Sequence, residues 1–502
     1  MMRILIDTNI LIHLENNNII NDKFAEFYRI AISNKCKILY HPKAIPIDLA
    51  RDKDIQRREI TISKLKKYEQ LADYAKLPDA FNVRLGCKKD NDRIDNKQLF
   101  QLHKQYVDYF VTEDRGIHVK SKSINLSSKV KSIVQILELF EEMYTVKIPS
   151  HPILKEHSIR EIEDKFHNVF FDSLRNDYGK DYFNNWLKKC AKENRKCYTL
   201  QVNEEINAIL IYNLEDVNNH RIEGIYVQML KICTLKVADT VFGMKLGELF
   251  INKMFEYCIN QGIKYLYLTV YEKQTHLIYL LQKFGFYKRT FLNKQGLEEM
   301  QMIKSLDKSK ITQKENIVYN HPFYSDGEEV SKFAIPIQPT FYSALFKDGK
   351  LRQPTLFDDS FDSISEIQGN TIIKAYISNS KIKNLKKGDL LFFYASKTSM
   401  VIEPVGILES ITIVDNFEDL WKIVNKKTVF SQNELQRMLN EKGKLNVITF
   451  RLVTYLKKKV NLQKIESLDS FKNKIQTITK ISETDYQNLK DEEYFDRRYI
   501  IN

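Results

Sequence analysis

Residues 3–9, Arg-Ile-Leu-Ile-Asp-Thr-Asn, decide the fold of the first part of this chain. Ile4 to Ile6 form an unbroken apolar run, which is typical of a strand that is buried on both faces of a parallel sheet. The run stops at Asp7, so the sequence predicts a carboxylate at the exit of a strand, where ligands bind in α/β proteins. The alternative is that Asp7 or Thr8 only caps the next helix.

Further acids recur at the ends of predicted strands and helices in the same part of the chain. They are Asp48, Asp92, Asp95 and Asp114. Asp92 and Asp95 open a predicted helix, and Asp114 ends a second predicted strand. Together with Asp7, these acids make residues 1–146 similar to the PIN-domain nucleases, which implies a parallel-sheet α/β domain that cleaves RNA.

The resemblance implies a role for each acid. Asp7 corresponds to the first acid of that family and Asp114 to the last, with Thr112 placed to hold Asp114. Asp95, with Asp92 beside it, corresponds to the third acid.

The second acid of the family is usually a Glu, and here Asp48 is a better candidate than Glu59. The resemblance implies catalytic roles for Asp7, Asp48, Asp95 and Asp114, and Mg²⁺ or Mn²⁺ bound by Asp7, Asp92, Asp95 and Asp114. Such an ion takes oxygen ligands and lowers the pKa of a bound water that attacks the phosphodiester.

The composition favours a polyanionic partner. The 502 residues carry a formal net charge of +13, and the basic excess extends over every third of the chain. This suits phosphate-dominated binding of RNA, although a Lys-rich, solvated surface is the alternative. The six cysteines show no zinc-site spacing. No apolar run approaches the ~20 residues of a membrane helix, and the N-terminus leads directly into a strand, so we expect a cytoplasmic protein without a membrane partner.

The middle of the chain has a second pattern. A predicted strand ending at Val237 leads through a loop with Gly243 and Gly247 to a predicted helix, 248–261, which stops at Gly262. A strand, a glycine-bearing turn and a helix N-terminus form an anion site. Over residues 148–306, this order resembles the GNAT-superfamily acetyltransferases, which implies a mixed α/β fold and acetyl-CoA as cofactor.

The resemblance places the pyrophosphate of acetyl-CoA at Val237, Gly243, Lys245 and Gly247. Thr240 and Lys245 depart from the residues that are usual in the family's loop. Leu281 stands where the family often has a Tyr as general acid, so Tyr279 or Tyr271 is expected to replace it. A module retained only for binding or dimerisation is the alternative to an active enzyme.

The last third contains short predicted strands separated by Gly turns, for example in 385–396 and 405–409. This pattern is typical of a small β-barrel. Residues 331–462 resemble the PUA-like fold, nearest its ASCH and EVE branches, which implies binding of RNA or a modified base. The polar and aromatic groups expected at its pocket are Lys374, Tyr376, Tyr394, Ser396 and Lys397, although strand aromatics are more often core.

The sequence therefore predicts a multidomain α/β and β protein. Its expected parts are a PIN-like domain (1–146), a GNAT domain (148–306), a linker (307–330), a PUA-like small β-barrel (331–462) and a charged C-terminal segment (463–502). The function predicted first is an enzyme acting on RNA, with tRNA, a toxin-like or defence role, and a second copy of the chain or an antitoxin as partner implied by the families. The alternatives are a non-catalytic nucleic-acid-binding regulator, and a protein or small-molecule N-acetyltransferase whose PIN fold is structural.

Overall fold

The computed structural model of this chain describes residues 2–501 except 16–21, 88, 145–153, 203–204, 221, 273, 293–297, 347–370, 379–383, 397–399, 426 and 473–474. The chain divides into two compact units. Unit 1 contains Met1–Ile148 and the short segments Ala238–Gly243 and Glu272–Leu277. Unit 2 contains Pro149–Val237, Met244–Tyr271 and Ile278–Asn502.

Unit 1 alternates strands and helices. Its strands are β1 (Arg3–Ile6), β2 (Lys37–Tyr40), β3 (Glu69–Gln70), β4 (Tyr109–Val111) and β5 (Val130–Lys131). Its helices are α1 (Thr8–Glu15), α2 (Asp22–Ser33), α3 (Ile45–Leu49), α4 (Ile55–Lys64), α5 (Asp79–Leu85), α6 (Asp90–His103), α7 (Arg115–Lys122) and α8 (Ile133–Met143), with a 3₁₀ turn at Leu65–Lys67.

The sheet of unit 1 has the order β3-β2-β1-β4-β5, and all of its pairs are parallel. The predicted strand β1 is confirmed at the centre of this sheet. Ile4 and Ile6 pack into one apolar core and Leu5 into another, because successive side chains of a strand point to opposite faces. The unbroken apolar run thus reflects burial on both faces.

The segment Ala238–Gly243 adds an aromatic side chain to unit 1. The Phe242 ring lies 5.2 Å from the ring of Tyr28 in an edge-on arrangement. The Lys67 ammonium lies 3.6 Å from the centroid of the Phe242 ring, and the Arg29 guanidinium donates to the Phe242 carbonyl at 3.0 Å. These contacts account for the grouping of this segment with unit 1.

Unit 2 begins with a mixed α/β region. Its strands are β6 (Lys155–Ser158), β7 (Lys196–Val202), β8 (Glu205–Glu215), β9 (Met229–Val237), β10 (Tyr265–Val270), β11 (Tyr287–Leu292) and β12 (Glu298–Ser305). The helices are α9 (Asp172–Tyr178), α10 (Lys180–Lys192), α11 (Val217–His220), α12 (Leu246–Gln261) and α13 (Thr275–Lys283, whose first three residues group with unit 1), with 3₁₀ turns at Ile159–Lys165 and Val169–Phe171. A further 3₁₀ turn, Asp239–Val241, lies in the segment that groups with unit 1.

The sheet of this region has the order β11-β12-β10-β9-β8-β7-β6. Its pairs are antiparallel except for β9 with β10, which is parallel. The predicted helix stop is confirmed at Gly262, which ends α12 in the left-handed region with φ 69°.

The rest of unit 2 is built around a six-stranded sheet. The strands that follow in the chain are β13 (Tyr324–Ser325), β14 (Lys332–Ile337), β15 (Ile373–Ser378), β16 (Leu390–Ala395), β17 (Val401–Val414), β18 (Leu445–Val460), β19 (Thr479–Ile481) and β20 (Ile500–Ile501). The helices are α14 (Ile317–Asn320), α15 (Pro339–Leu345), α16 (Phe417–Val424), α17 (Gln432–Lys442), α18 (Leu462–Glu466) and α19 (Glu483–Asp491), with 3₁₀ turns at Lys308–Lys310, Asp469–Phe471 and Arg497–Tyr499.

The strands of this sheet have the order β15-β18-β17-β16-β14-β19. Among the described residues, no pairing joins the outer strands β15 and β19, so the predicted small β-barrel is not confirmed. The C-terminal segment contributes β19, which pairs antiparallel with β14, and β20, which pairs with β13 in a separate two-stranded sheet. Residues 463–502 therefore add strands to the structure besides the expected helices.

The segment expected as a linker, 307–330, packs closely against the mixed sheet. His321 is fully buried, and Phe323 and Tyr324 are nearly so. The buried ammonium of Lys304 on β12 donates to the Tyr319 carbonyl, and burial holds the pKa of Lys304 well below its usual value. A hydrogen bond compensates the cost of burying this polar group.

Gly285 makes this packing possible. Its φ is +78°, and a Cβ on it would lie 2.5 Å from the Val318 carbonyl oxygen and 2.9 Å from the Tyr319 Cα. Any side chain at this position would force the 317–320 backbone away from β12. Close packing of the 317–320 backbone therefore explains why a glycine precedes Phe286 in this chain.

None of the helices in the described residues is long and apolar enough to cross a membrane.

We predict that Gly285→Ala lowers the free energy of unfolding of unit 2 far more than Gly262→Ala does. Both glycines have positive φ, but a Cβ on Gly262 meets nothing within 4 Å. Gly262→Ala should cost about 1 kcal/mol, and Gly285→Ala at least about 2 kcal/mol more because fixed backbone must move. Urea unfolding of the full chain measures the difference, and equal losses for the two variants would contradict the packing.

Candidate functional site

The mixed sheet of unit 2 opens between β9 and β10. The two strands pair only at three positions, Leu230 with Leu266, Lys231 with Tyr267 and Ile232 with Leu268. Beyond them, β9 continues to Val237 and β10 to Val270. Each strand remains paired on its other side, β10 with β12 throughout and β9 with β8 except at Cys233, where the register shifts.

The backbone edge of Thr234, Leu235 and Val237 on the side of β10 is thus no longer paired with that strand. These residues are half-buried, in contrast to the buried Leu230 earlier in the same strand. Backbone N–H and C=O groups in a protein must be hydrogen-bonded, to water or to a ligand if no strand is present. The gap can therefore accept an extended ligand that carries amide groups.

The N-terminus of α12 follows the open strand after a short loop. Lys245 precedes the helix in the left-handed region, with φ 56°, and its carbonyl accepts the N–H groups of Glu248 and Leu249. The N–H groups of Leu246 and Gly247 then lie in the first turn of the helix, where they and the helix dipole favour an anion. The strand, the loop and the helix follow one another in the predicted order, and the anion site stays a prediction.

Helix α13 packs beside this helix N-terminus. A Cβ on Gly247 would lie 3.1 Å from Cδ2 of Leu280, so the two helices are close at this point. Tyr279 is the neighbour of Leu280 and is half-buried, whereas Leu281 is fully buried. The position where the family often has a tyrosine therefore belongs to the core in this chain, and the tyrosine that α13 contains is the half-buried Tyr279.

The remaining predicted cofactor residues lie along the same stretch of chain. Val237 is the last residue of β9 and is half-buried. Gly243 has φ 82°, a conformation that a glycine adopts readily, and it ends the segment that groups with unit 1. The assignment of Val237, Gly243, Lys245 and Gly247 to a cofactor stays a prediction.

In unit 1, the predicted acids gather at the carboxyl ends of β1 and β4. Asp7, which is only 6% exposed, accepts hydrogen bonds from Asn9 Nδ2 and Thr112 Oγ1, both at 2.7 Å. Its other oxygen accepts from the Thr8 N–H at 2.8 Å and from Gln98 Nε2 at 3.0 Å. Burial raises the pKa of Asp7 despite these donors, and the charge of Asp48 adds to the effect.

Asp114 caps a helix, which is the role that the sequence offered as the alternative for Asp7. Its Oδ1 accepts the N–H groups of Gly116 at 2.6 Å and Ile117 at 3.1 Å at the start of α7. Thr112 hydrogen-bonds both acids, since its Oγ1 accepts from the Asp114 N–H at 3.1 Å and donates to Asp7. The predicted contact between Thr112 and Asp114 is therefore made through the backbone.

A lysine ammonium lies among the remaining acids of unit 1. Lys120 Nζ is 2.9 Å from Asp92 Oδ1 and 3.3 Å from Asp95 Oδ2. Burial is the main reason why the pKa of Asp95 rises to about 6, with the charges of Asp7 and Asp114 adding to it and Lys120 opposing it. Three carboxylates, those of Asp7, Asp95 and Asp114, therefore act together here, and the Lys120 ammonium supplies a nearby positive charge.

The predicted metal centre is not formed by these residues. Within the described parts of the chain, no group of three or more His, Cys, Asp or Glu side chains is placed to hold a metal ion. The physical reasons are that Asp7 is engaged by four hydrogen bonds and that Lys120 already pairs with Asp92 and Asp95. As placed, the residues do not fit Mg²⁺ or Mn²⁺.

The residues predicted to bind nucleic acid lie mostly inside the last sheet. Lys374 is fully buried and Tyr394 is 7% exposed, so most of each side chain lies inside the protein. The Tyr376 hydroxyl donates to the Pro336 carbonyl at 2.9 Å, and Ser396 donates to the Ile337 carbonyl at 3.0 Å. These residues join strands in the described structure, and Lys397 lies outside the described residues.

Several residues of these sites were missed from the sequence. Gln98 is three positions after Asp95 on α6, a spacing that places both on one helix face, so its contact with Asp7 had a detectable signal. Lys120 had none, since only the fold brings α7 beside α6. The separation of β9 from β10 at residues 233–237 could not be predicted from the sequence either. It depends on the neighbouring strands and not on the residues of β9.

Comparison with known protein families gives a match for one region of the chain. Residues 157–286 match the family model of the acetyltransferase (GNAT) family. This segment contains β9, β10, α12 and the gap between the two strands. The chain therefore contains a GNAT-type acetyltransferase domain within a larger multidomain α/β protein. No curated protein matches the chain.

Solved structures similar to parts of the chain fall into two groups. A point mutant of the ASCH protein from Zymomonas mobilis has 14% identity and a TM-score of 0.25, and the match covers 32% of this chain and 95% of that protein. A GNAT-family acetyltransferase from Streptococcus pneumoniae has 16% identity and a TM-score of 0.23, covering 30% and 99%. Another from Elizabethkingia anophelis, solved with acetyl-CoA bound, has 14% identity and a TM-score of 0.23, covering 31% and 99%.

We predict that Asp95→Asn removes a pH dependence of stability in unit 1. The pKa of Asp95 is about 6 in the folded chain against an ordinary value of 3.8, so the folded state holds the proton more tightly. Wild-type stability should therefore fall as pH rises from about 4 to 6, by up to about 3 kcal/mol, and the variant should lack this loss.

Asp90→Asn is the matched control for this experiment, since Asp90 is on the same helix and its side chain is 91% exposed. It should leave the pH profile of thermal unfolding unchanged. The same pH profile for wild type and Asp95→Asn would show that Asp95 titrates normally.

Proposed function

We propose that this protein is an acetyl-CoA-dependent N-acetyltransferase, with its site at the gap between β9 and β10. The single observation that carries the proposal is the parting of these strands after Ile232 and Leu268 beside the N-terminus of α12. The family match over residues 157–286 supports it. The acceptor class is an amine, as the family description implies.

The residues present fit the cofactor. When bound, acetyl-CoA supplies the acetyl group as a thioester on an arm that contains amides and leads to phosphates. The N–H and C=O groups of Thr234, Leu235 and Val237 on the edge of β9 that no longer pairs with β10 would hydrogen-bond such amides as a partner strand would. The N–H groups of Leu246 and Gly247 hold phosphate oxygens at the helix N-terminus.

Acetyl transfer moves a proton as well as the acetyl group. The amine nitrogen attacks the carbonyl carbon and loses a proton, the carbon–sulfur bond breaks, and the sulfur gains a proton. A hydroxyl near the sulfur lowers the barrier by supplying that proton. We assign this role to Tyr279, which lies on α13 next to the contact between Leu280 and Gly247.

The binding part of the proposal is tested with Gly247→Asp. Aspartate in the first turn of a helix is favourable for folding, but here its charge repels the phosphates. We expect acetyl-CoA affinity, measured by calorimetry on the full chain, to fall at least about tenfold, which corresponds to about 1.4 kcal/mol.

Asn260→Asp adds the same charge at the other end of α12, where the side chain is exposed, and serves as the control. It should bind acetyl-CoA as wild type does. No heat of binding in the folded wild-type protein, or equal affinity in both variants, would contradict the proposed site.

The transfer step is tested with two tyrosine variants. Tyr279→Phe should lower kcat by about 10²-fold or more and leave acetyl-CoA affinity unchanged, because only the proton donor is lost. Tyr271→Phe, on the strand side of the same site, should retain kcat. Thiol release with a panel of primary amines measures kcat for both variants. Loss of kcat in Tyr271→Phe and its retention in Tyr279→Phe would assign the proton donor to Tyr271.

Ribonuclease activity in unit 1 stays a prediction of the PIN resemblance. It rests on the gathering of Asp7, Asp95 and Asp114, whose charges act together on the pKa of Asp95. Because the residues as placed do not fit a divalent ion, no cleavage step is derived through one. Action on RNA or tRNA, and a second copy of the chain or an antitoxin as partner, likewise stay predictions.

A further inference from the structure

Two loops that follow the strands at the gap belong to unit 1. The first loop, Ala238–Gly243, comes directly after β9, and the second, Glu272–Leu277, comes shortly after β10. Within unit 1, both loops contact the stretch 63–67, which is the end of α4 and the 3₁₀ turn after it. One short stretch of unit 1 therefore holds the chain just beyond both parted strands.

Lys67 connects the first loop to the core of unit 1. Its ammonium lies 3.6 Å from Asp239 Oδ1 and 3.6 Å from the centroid of the Phe242 ring. The same ammonium lies 3.2 Å from Glu15 Oε1 and 4.3 Å from the centroid of the Tyr28 ring. The Lys67 side chain is only 15% exposed, and a cation is attracted to an aromatic face more strongly where water is excluded.

Glu15 fixes the position of this ammonium. Its side chain is 1% exposed, and the Tyr68 hydroxyl donates a hydrogen bond to the carboxylate oxygen that also pairs with Lys67. A buried carboxylate is costly unless a cation and hydrogen-bond donors surround it. Lys67 therefore has a fixed partner inside unit 1, and it offers a fixed cation to Asp239 and Phe242.

The backbone of the first loop and the side chain of the second loop are held as well. Arg29 Nη1 donates to the Phe242 carbonyl at 3.0 Å. In the second loop, the Thr275 hydroxyl donates to Ser63 Oγ at 2.9 Å. Thr275 is the first residue of α13, the helix that contains the assigned proton donor.

The first loop connects the two elements assigned to acetyl-CoA. Val237 ends the open strand just before it, and Gly243, with φ 82°, leads to Lys245 at the N-terminus of α12. A loop that is ordered before a ligand arrives loses less conformational entropy on binding than a mobile loop does. Contacts that hold Asp239 and Phe242 can therefore raise the affinity for the cofactor.

We propose that Lys67 is a positioning residue for acetyl-CoA, which acts by holding the loop Ala238–Gly243 in the conformation that binds the cofactor. This inference rests on the proposed function, because the loop belongs to the site only if the gap binds acetyl-CoA. It gives unit 1 a role in acetyl transfer that is independent of ribonuclease activity.

Calorimetry and kinetics with acetyl-CoA on the full chain test this role. Lys67→Met keeps an unbranched apolar side chain but removes the cation. We expect acetyl-CoA affinity to fall about tenfold, because the loop must then be ordered on binding, while kcat at saturating acetyl-CoA stays unchanged. Lys67→Arg should retain wild-type affinity, since a guanidinium keeps the charge and stacks on aromatic faces.

Two further variants separate positioning from a loss of stability. Lys66→Met is the matched control, since Lys66 is the preceding residue and is exposed, and it should bind acetyl-CoA as wild type does. Glu15→Gln combined with Lys67→Met removes the carboxylate that the single variant leaves buried without its cation. This double variant should regain thermal stability, whereas its acetyl-CoA affinity should stay about tenfold below that of wild type.

Hydrogen exchange of a peptide covering 238–243 reports on the loop without the cofactor. It should be faster in Lys67→Met than in wild type and unchanged in Lys66→Met. Wild-type affinity in folded Lys67→Met, or its recovery in the double variant, overturns the role of Lys67 and leaves the acetyltransferase proposal intact. Absence of acetyl-CoA binding to the folded wild-type chain overturns the two proposals together.

Discussion

The gap in the mixed sheet of unit 2 results from the unequal pairing of two neighbouring strands, β9 and β10. β9 and β10 share three residue pairs and then separate, while β9 stays paired with β8 on either side of a register shift at Cys233 and β10 stays paired with β12 along its whole length. Because these outer pairs continue on both sides of the gap, a simple shift of either strand does not close it. The backbone edge of Thr234, Leu235 and Val237 on the side of β10 can hydrogen-bond to solvent or to a ligand.

The packing around the gap connects it to the rest of unit 2. Gly247 admits Leu280 at the N-terminus of α12, and Gly285 admits the 317–320 backbone against β12. Glu248 and Arg451 then hydrogen-bond backbone groups of the neighbouring sheet and of α13. The mixed sheet and the last sheet are thus one compact unit, and residues far apart in sequence can act on the same ligand.

The sequence predicted what depends on local pattern. The apolar run at Ile4 to Ile6, the helix stop at Gly262 and the acids at strand ends all have local causes, and the structure has β1, the end of α12 and the gathering of Asp7 and Asp114 as expected. What depends on distant partners was not predictable. Lys120 pairs with Asp92 and Asp95 across two helices, Lys374 is buried by strands that pair with its own, and the outer strand β19 comes from the tail.

We propose that the open edge of β9 binds acetyl-CoA. Hydrogen exchange of the backbone N–H groups measures this binding directly. A peptide covering residues 233–237 in the full chain should exchange more slowly when acetyl-CoA is saturating, because N–H groups that faced solvent become hydrogen-bonded. A peptide from β7, which is paired with β6 and β8, should not change. Unchanged exchange at 233–237 with saturating acetyl-CoA would contradict binding of the cofactor at this edge of β9.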